Sequence, residues 1–253
     1  MKRWMVLAFG VISYAIFFGV FLYAIGFIGN LFVPNSLDAP PSSSLGFALT
    51  INLLLLTLFA VQHSVMARPF FKRWLTRYIP EPMERSTYVL ATNIAMIAIY
   101  VGWQPLGYSV WELTNPVAVV VAYSLFFAGW IVVFASTCLI NHFDLFGLRQ
   151  VWLNFQGKPY TVLKFNTPGP YKLVRHPLYV GWIMVFWSTP TMTAGHLFFA
   201  LVTTIYILVA IQLEERDLMD VHGVDYVNYR NEVPMLVPRI GSRAVAESGV
   251  HRV

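Results

Sequence analysis

The chain has 253 residues, of which 57% are hydrophobic and only 11% are charged, and its formal net charge is +5. A soluble domain has about 25% charged residues, and a chain of this length could not bury so much apolar surface in one core. The composition therefore excludes a soluble globular protein. It predicts an all-α, polytopic transmembrane protein, because a helix satisfies its own backbone hydrogen bonds in lipid.

The apolar residues form five blocks, which are 4–33, 45–66, 87–103, 117–140 and 178–213. The last block is too long for one span, since a helix crosses the bilayer in about 20 residues. Its middle contains Pro190 and Gly195, which interrupt helices. We therefore predict four full spans followed by a helical hairpin over 178–213, six helical segments in all. The first half of the hairpin is short enough for its turn to stay inside the membrane.

The basic residues mark one side of the predicted spans. All 17 Lys and Arg residues lie at the N-terminus, in the 68–85 loop, in the 149–175 loop and from residue 216 onward. The positive-inside rule places these segments in the cytoplasm, which makes both termini cytoplasmic and the number of crossings even. Charge spread over membrane-facing loops suits anionic lipid headgroups rather than a polynucleotide. We expect the bilayer as a partner and no nucleic acid.

The chain is interpreted as one membrane-embedded domain, 1–253, with four parts. Transmembrane helices occupy 1–140, a cytoplasmic active-site loop 141–177, the helical hairpin 178–213, and a cytoplasmic tail 214–240. The two helices of a hairpin are antiparallel, so Glu214 and Glu215 should return to the level of His176. Acidic and basic groups from distant parts of the sequence are therefore expected to meet at one membrane surface.

The start of the hairpin carries the most distinctive residues. Pro177 suits the first turn of a helix, where its missing N–H is not needed. Arg175 and His176 would then lie at the positive end of that helix, where free N–H groups bind carboxylate or phosphate. Gly181 lets another group approach the helix backbone closely. These positions predict a binding site for a carboxylate or phosphate group.

The segment from Gly169 to Gly181 (GPYKLVRHPLYVG), with Glu214-Glu215, the run 226–230 and Val237-Pro238-Arg239, resembles a known C-terminal signature. It is the signature of the isoprenylcysteine carboxyl methyltransferase and phospholipid methyltransferase superfamily, whose members are integral membrane enzymes that use S-adenosylmethionine. The chain has no G-x-G-x-x-G motif, which agrees with a cofactor site outside a Rossmann domain. The resemblance implies a cytoplasmic S-adenosylmethionine site formed by Gln150, Tyr171, Arg175, His176, Pro177, Tyr179, Gly181, Glu214, Glu215, Tyr229 and Arg239.

Two further segments narrow the resemblance. Residues 62–68 (QHSVMAR) resemble the NnrU-type membrane family, and together with residues 141–150 (NHFDLFGLRQ) they make the chain look most like the bacterial methanethiol S-methyltransferases. That likeness extends along nearly the whole chain. It implies transfer of a methyl group from S-adenosylmethionine to methanethiol, giving dimethyl sulfide. We expect an integral protein of the bacterial inner membrane.

A small thiol is mostly protonated at neutral pH, so methylation of it requires a base. The candidates are Asp144, His142 and His63, with Arg149 able to steady the thiolate or to orient the carboxylate. Asp144 and His142 rank ahead of His63. The structural alternatives are a histidine that snorkels to the membrane interface and a charge network that anchors a helix end.

Two other functions remain open at this point. The acceptor could be an isoprenylcysteine or a phospholipid headgroup, or the chain could be a non-enzymatic accessory protein of nitrogen-oxide respiration. The histidines lack the H-E-x-x-H spacing of a metal site, so we expect no metal.

Overall fold

The structure is a computed structural model that describes residues 2–239. Within these residues the chain is predominantly helical. The five helices of 19 residues or more are α1 Arg3–Gly29, α2 Leu45–Ala67, α4 Glu84–Gly102, α5 Pro116–Ile140 and α9 Ala194–His222. The shorter helices are α3 Pro69–Leu75, α6 His142–Leu145, α7 Leu148–Gln156, α8 Pro177–Trp187 and α10 Val224–Glu232. Two 3₁₀ turns cover Glu81–Met83 and Gly169–Lys172.

Four helices, α1, α2, α5 and α9, are long and apolar enough to cross a membrane. Two more apolar segments, α4 and α8, complete the six predicted helical segments. α8 has only 11 residues, which at 1.5 Å per residue makes it about 16 Å long, roughly half of a hydrocarbon core. The protein is therefore an all-α integral membrane protein, and the first half of its hairpin is too short for a full crossing.

The second helix of the hairpin differs in length from the expectation. α9 continues to His222 rather than ending near Leu213. Its last turns contain Glu214, Glu215 and other polar residues, which favour helix once they have left the apolar layer. Gly223, at a φ of 56°, ends the helix and α10 follows. The expected tail is thus largely helical.

α8 packs against α5 at an unusually close approach. A Cβ added to Gly181 would lie 2.8 Å from the backbone nitrogen of Val133, and one added to Gly129 would lie 2.9 Å from the Gly181 carbonyl oxygen. The close approach predicted at Gly181 is therefore made by another helix of the chain. α4 packs against both α1 and α2, and these helices contribute Phe27, Leu56 and Ile99 to the buried core.

The basic segments meet at one end of the helices, here called the basic end. Arg68 after α2 forms a 2.8 Å ion pair with Asp217 of α9. Arg85 at the start of α4 donates from Nε to the carbonyl of Leu145, 2.6 Å away. Arg3 lies against Gly157, which follows α7. The tertiary structure thus brings together the loops that the charge pattern assigns to one side.

The opposite end has a small sheet that the sequence did not predict. Strand β1, Ser109–Glu112, pairs antiparallel with β2, Thr191–Thr193, in the turn of the hairpin. Asp38 is buried there and accepts from Thr193 Oγ1 and from Nδ1 of His196, each at 2.8 Å. These contacts fasten the turn between α8 and α9 to the loop after α1.

Candidate active site

A cavity of about 800 Å³ lies at the basic end. Its walls come from α1, the end of α5, α6, the 163–167 loop, the 171–179 segment, α9 and α10. Its volume is in the range of about 300–1,000 Å³ that small-molecule and cofactor sites occupy. The site therefore draws on residues from both the N-terminal and the C-terminal halves of the chain.

One wall is organised around Glu215, whose side chain is only 3% exposed. Its carboxylate accepts from Arg175 Nε at 2.8 Å, from His176 Nε2 at 3.0 Å and from Arg230 Nε at 3.0 Å. A buried carboxylate is tolerated when it is paired and hydrogen-bonded in this way. Glu215 is not among the residues that line the cavity, and it acts on the site by holding Arg175 and His176 in place.

Glu214 has a different environment, although it is adjacent in sequence. Its side chain is 44% exposed and lines the cavity. Oε2 of Glu214 accepts from the Tyr179 hydroxyl at 2.8 Å, and it lies 4.0 Å from Nδ1 of His176. One oxygen of this carboxylate therefore remains available to a ligand in the cavity.

Three tyrosines close the same side of the cavity. Tyr229 donates to the Tyr171 carbonyl at 2.6 Å, and Tyr226 is buried with a hydroxyl that has no hydrogen-bond partner within residues 2–239. Burial raises the pKa of Tyr229 to about 12 and raises the pKa of Tyr171 and Tyr226 as well. All three phenols are thus neutral hydrogen-bond donors at physiological pH.

His142 lies at the other end of the cavity. It is 8% exposed, and its ring nitrogens lie 2.8 Å from Thr137 Oγ1 (Nδ1) and 2.8 Å from the Tyr14 hydroxyl (Nε2). Burial lowers the pKa of His142 below the usual value of about 6.5. The imidazole is therefore neutral at pH 7 and is a suitable proton acceptor.

Asp144, the other leading candidate for the base, has a different location. Its Oδ1 pairs with Arg149 Nη1 at 2.9 Å, and its Oδ2 accepts from the Tyr160 hydroxyl at 3.2 Å. Arg149 also donates to the carbonyl and the hydroxyl of Thr161. Among residues 2–239, neither Asp144 nor Arg149 lines the cavity. The pair ties α6 and the start of α7 to the loop that follows α7.

His63 lies between α2 and α4, also away from the cavity lining. Its ring is within 3.0 Å of the Tyr88 hydroxyl and stacks on Phe59, with 5.2 Å between the ring centroids. The neighbouring Ser64 contacts the Tyr206 hydroxyl at 3.1 Å. The motif at 62–68 therefore joins α2 to α4 and α9.

Some of the remaining residues that were predicted to bind the cofactor line the cavity, and others have structural contacts elsewhere. Pro177 is the first residue of α8, as expected, and Gly181 is packed against α5. Gln150 donates from Nε2 to the Asp144 carbonyl at 3.1 Å, and its buried Oε1 has no partner within residues 2–239. Arg239 is the last described residue. Of the predicted cofactor residues, those that line the cavity are Tyr171, Arg175, His176, Tyr179, Glu214 and Tyr229.

Several residues of the site were missed from the sequence, among them Tyr14, Thr137 and Arg230, together with Lys164, Phe165 and Tyr226 of the cavity lining. Tyr14 lies within the first apolar block and Thr137 within the fourth, where a single hydroxyl is an ordinary feature of a membrane helix. Arg230 was quoted only as part of a motif. Nothing in the local sequence indicates that Tyr14 contacts His142, 128 positions away.

Comparison with known proteins places the chain in a family. Residues 117–222 match the model of the phospholipid methyltransferase family. The chain is 57% identical to a methanethiol S-methyltransferase of Crocosphaera subtropica over 244 residues, which cover 96% of each chain. It is 49% identical to a methanethiol S-methyltransferase of Mycobacterium tuberculosis, over 94% of this chain and 98% of the relative.

More distant relatives include nurim of Bos taurus, which is 32% identical over 72% of each chain. No solved structure matches the chain. Near-complete coverage by relatives of the same name shows that the likeness includes the N-terminal helices as well as the C-terminal signature. The chain belongs to the methanethiol S-methyltransferase family of membrane-embedded methyltransferases.

Proposed function

We propose that the protein transfers a methyl group from S-adenosylmethionine to methanethiol, forming dimethyl sulfide and S-adenosylhomocysteine. The observation that carries this proposal is one cavity with two chemically different ends. Charged and phenolic groups around Glu214 form one end, and the neutral imidazole of His142 forms the other. A methyl transferase needs this combination, because donor and acceptor must meet in line in one enclosed space.

The residues at the Glu214 end fit S-adenosylmethionine. The carboxylate of Glu214 can accept from the amino group or the ribose hydroxyls of the cofactor. The Tyr226 hydroxyl, which has no partner in the described part of the chain, offers a buried donor. Lys164 can bind the carboxylate of the cofactor, and the ring of Phe165 can stack on adenine or face a cation. When bound, S-adenosylmethionine supplies a methyl group activated by a positively charged sulfur.

We place the acceptor at the His142 end and favour His142 over Asp144 as the group that finally receives the thiol proton. The reason is geometric, since His142 lines the cavity whereas the Asp144 carboxylate is engaged by Arg149 and Tyr160. The aromatic rings around His142 leave an apolar environment that suits a small thiol. We further propose that the protein lies in a bacterial inner membrane with its basic end on the cytoplasmic side, as the positive-inside rule predicts.

A competition assay tests the proposal. Purified protein would receive S-adenosylmethionine with methanethiol, hydrogen sulfide or a prenylcysteine analogue, and methylated products would be quantified. We expect the highest kcat/KM with methanethiol and a loss of activity in Glu214→Gln. Preferred methylation of the prenylcysteine analogue, or no methylation of any thiol by protein that binds S-adenosylhomocysteine, would contradict the proposal.

A separate measurement tests the orientation. Reporters active only in the cytoplasm or only outside it would be fused after residue 253 and inserted in the loop between α4 and α5. We expect cytoplasmic activity at the C-terminus and external activity in that loop. The reverse pattern would overturn the proposed orientation.

A further inference from the structure

The hydrogen bonds around His142 identify its tautomer. Thr137 Oγ1 lies 2.7 Å from the Phe134 carbonyl oxygen and donates its only hydrogen to it. The same oxygen lies 2.8 Å from Nδ1 of His142, so in this second contact it must accept. Nδ1 therefore carries the ring proton, and Nε2 has the free lone pair. It follows that the Tyr14 hydroxyl donates its hydrogen to Nε2.

Both nitrogens of His142 are thus occupied, and a thiol in the cavity cannot reach Nε2 while Tyr14 holds it. The group presented to the cavity is Tyr14 itself, which is half-buried and lines it. Its phenolic oxygen has given its hydrogen to His142 but can still accept one from a ligand.

The surroundings of this pair limit the access of water. The rings of Phe134, Phe143, Phe146 and Phe17 lie with their centroids 4.8 to 6.4 Å from that of His142. A hydrogen bond is stronger in such a low-dielectric environment than in water. Tyr14 also links α1 to the α5–α6 corner, so a purely structural role is the alternative explanation.

Building on the proposed function, we propose that Tyr14 is a catalytic residue that takes the thiol proton and passes its own to His142, while Thr137 is a positioning residue that holds the required tautomer. The S–H bond breaks as the sulfur lone pair forms the new bond to the methyl carbon. The electron pair of the old carbon–sulfur bond stays on the cofactor sulfur. The thiol proton moves to the Tyr14 oxygen, the Tyr14 proton moves to Nε2, and the resulting imidazolium later loses it to solvent.

Other titratable groups share this region and must be separated from the relay. Besides Tyr14 and His142, the titratable residues that line the cavity are Cys138, Lys164, Tyr171, Arg175, His176, Tyr179, Glu214, His222, Tyr226 and Tyr229. Asp144 is close in sequence to His142, but it is paired with Arg149. The decisive variants therefore alter only the hydroxyl groups of the relay.

The first test compares Tyr14→Phe with Tyr23→Phe. Tyr23 is on the same helix, and its hydroxyl donates to the Asn35 carbonyl at 3.5 Å, so it controls for loss of a hydroxyl from α1. Removal of a general base typically lowers the rate by about 10²–10⁴. We expect a loss of this order in Tyr14→Phe, with S-adenosylhomocysteine affinity within twofold of wild type and activity recovering at high pH as the thiol ionises unaided. Tyr23→Phe should behave as wild type.

A readout independent of turnover is the nitrogen NMR spectrum of protein labelled at histidine, with the His142 signal identified from its loss in His142→Gln. We expect the Nδ1–H tautomer in wild type and in Thr137→Ser. In Thr137→Val, which lacks the hydroxyl, the tautomer preference and the rate should both fall. If Tyr14→Phe folds poorly, the comparison of Thr137→Ser with Thr137→Val tests the relay instead.

The results separate this inference from the proposed function. A wild-type protein without thiol methylation would overturn both. An active wild type with an equally active Tyr14→Phe would overturn the relay alone. The relay would also be overturned if Tyr14→Phe lost the same fraction of the rate at every pH and if Thr137→Val kept the wild-type tautomer of His142. These two results together would show that Tyr14 has a structural role.

Discussion

Arg175 and Glu215, forty positions apart in sequence, form an ion pair of 2.8 Å whose side chains are 10% and 3% exposed. The pair joins the start of α8 to α9 at the wall of the cavity. Removing one partner of a buried pair leaves the other charge without compensation, which typically costs about 3–5 kcal/mol. The geometry of the site therefore depends on a carboxylate that does not itself line it.

This relationship predicts different outcomes for two adjacent glutamates. Glu215→Gln should lower the thermal stability of the detergent-solubilised protein markedly, because Arg175 and Arg230 lose their buried partner. Glu214→Gln should unfold at nearly the wild-type temperature. It should bind S-adenosylmethionine roughly ten- to a hundredfold more weakly, as loss of a charged hydrogen bond costs about 1.5–3 kcal/mol. Thermal unfolding would measure the stability of each variant, and calorimetry would measure its affinity for S-adenosylmethionine. Equal unfolding temperatures and equal affinities in the two variants would contradict the different roles of the two glutamates.

Asp144→Asn should retain most of the methyl-transfer activity per mole of protein that binds cofactor. Its pair with Arg149 is partly exposed, with side chains 18% and 21% accessible, so its loss should cost about 1 kcal/mol or less. His142→Gln should lose most activity under the same conditions. A hundredfold or greater loss in Asp144→Asn, with cofactor affinity intact, would restore Asp144 as the base.

Gly181→Ala should destabilise the contact between α5 and α8. The added methyl would lie 2.8 Å from the Val133 backbone nitrogen, an atom that cannot move aside without shifting α5. Overpacking of this kind costs about 1–3 kcal/mol. Gly19→Ala is the matched control, because a Cβ at that position meets no atom within 4 Å. Equal unfolding temperatures for the two variants would rule out the close contact.

As the pH decreases through the range in which His142 takes up a proton, the protein should become less stable. Burial lowers the pKa of His142 in the folded chain, so protonation favours the unfolded chain. The neutral imidazole makes its full contribution to the free energy of unfolding above the ordinary pKa of about 6.5. This contribution is lost as the pH decreases toward the lower pKa that His142 has in the folded chain. The unfolding temperature of His142→Gln should vary less with pH below 6.5. The same pH slope in both proteins would contradict the shifted pKa.

Much of the fold could be predicted from the sequence because it depends on local composition. The six apolar segments, the interruption near Pro190 and the clustering of Lys and Arg reflect what lipid excludes and what the interface retains. Six of the residues that the signature around His176 assigns to the cofactor line one cavity, and their role in binding it stays a prediction. The small sheet was not predicted, because strand pairing depends on contacts between distant segments. The extension of α9 to His222 was not predicted either, because the apolar block ends near Leu213 whereas the polar residues that follow still favour helix as far as Gly223.

Only the tertiary structure decided which of the candidate groups can act together. Glu214 and Glu215 are adjacent in sequence, but successive residues of a helix project about 100° apart, so one lines the cavity and the other is buried behind it. Asp144 and His142 share one short helix, yet Arg149 engages the first and Tyr14 the second. The sequence by itself determined a membrane-embedded helical protein with a resemblance to methyltransferases, because hydrophobicity and motifs are local properties. The pairing of Tyr14 with His142 required α1 to pack against α6, a contact between residues 128 positions apart.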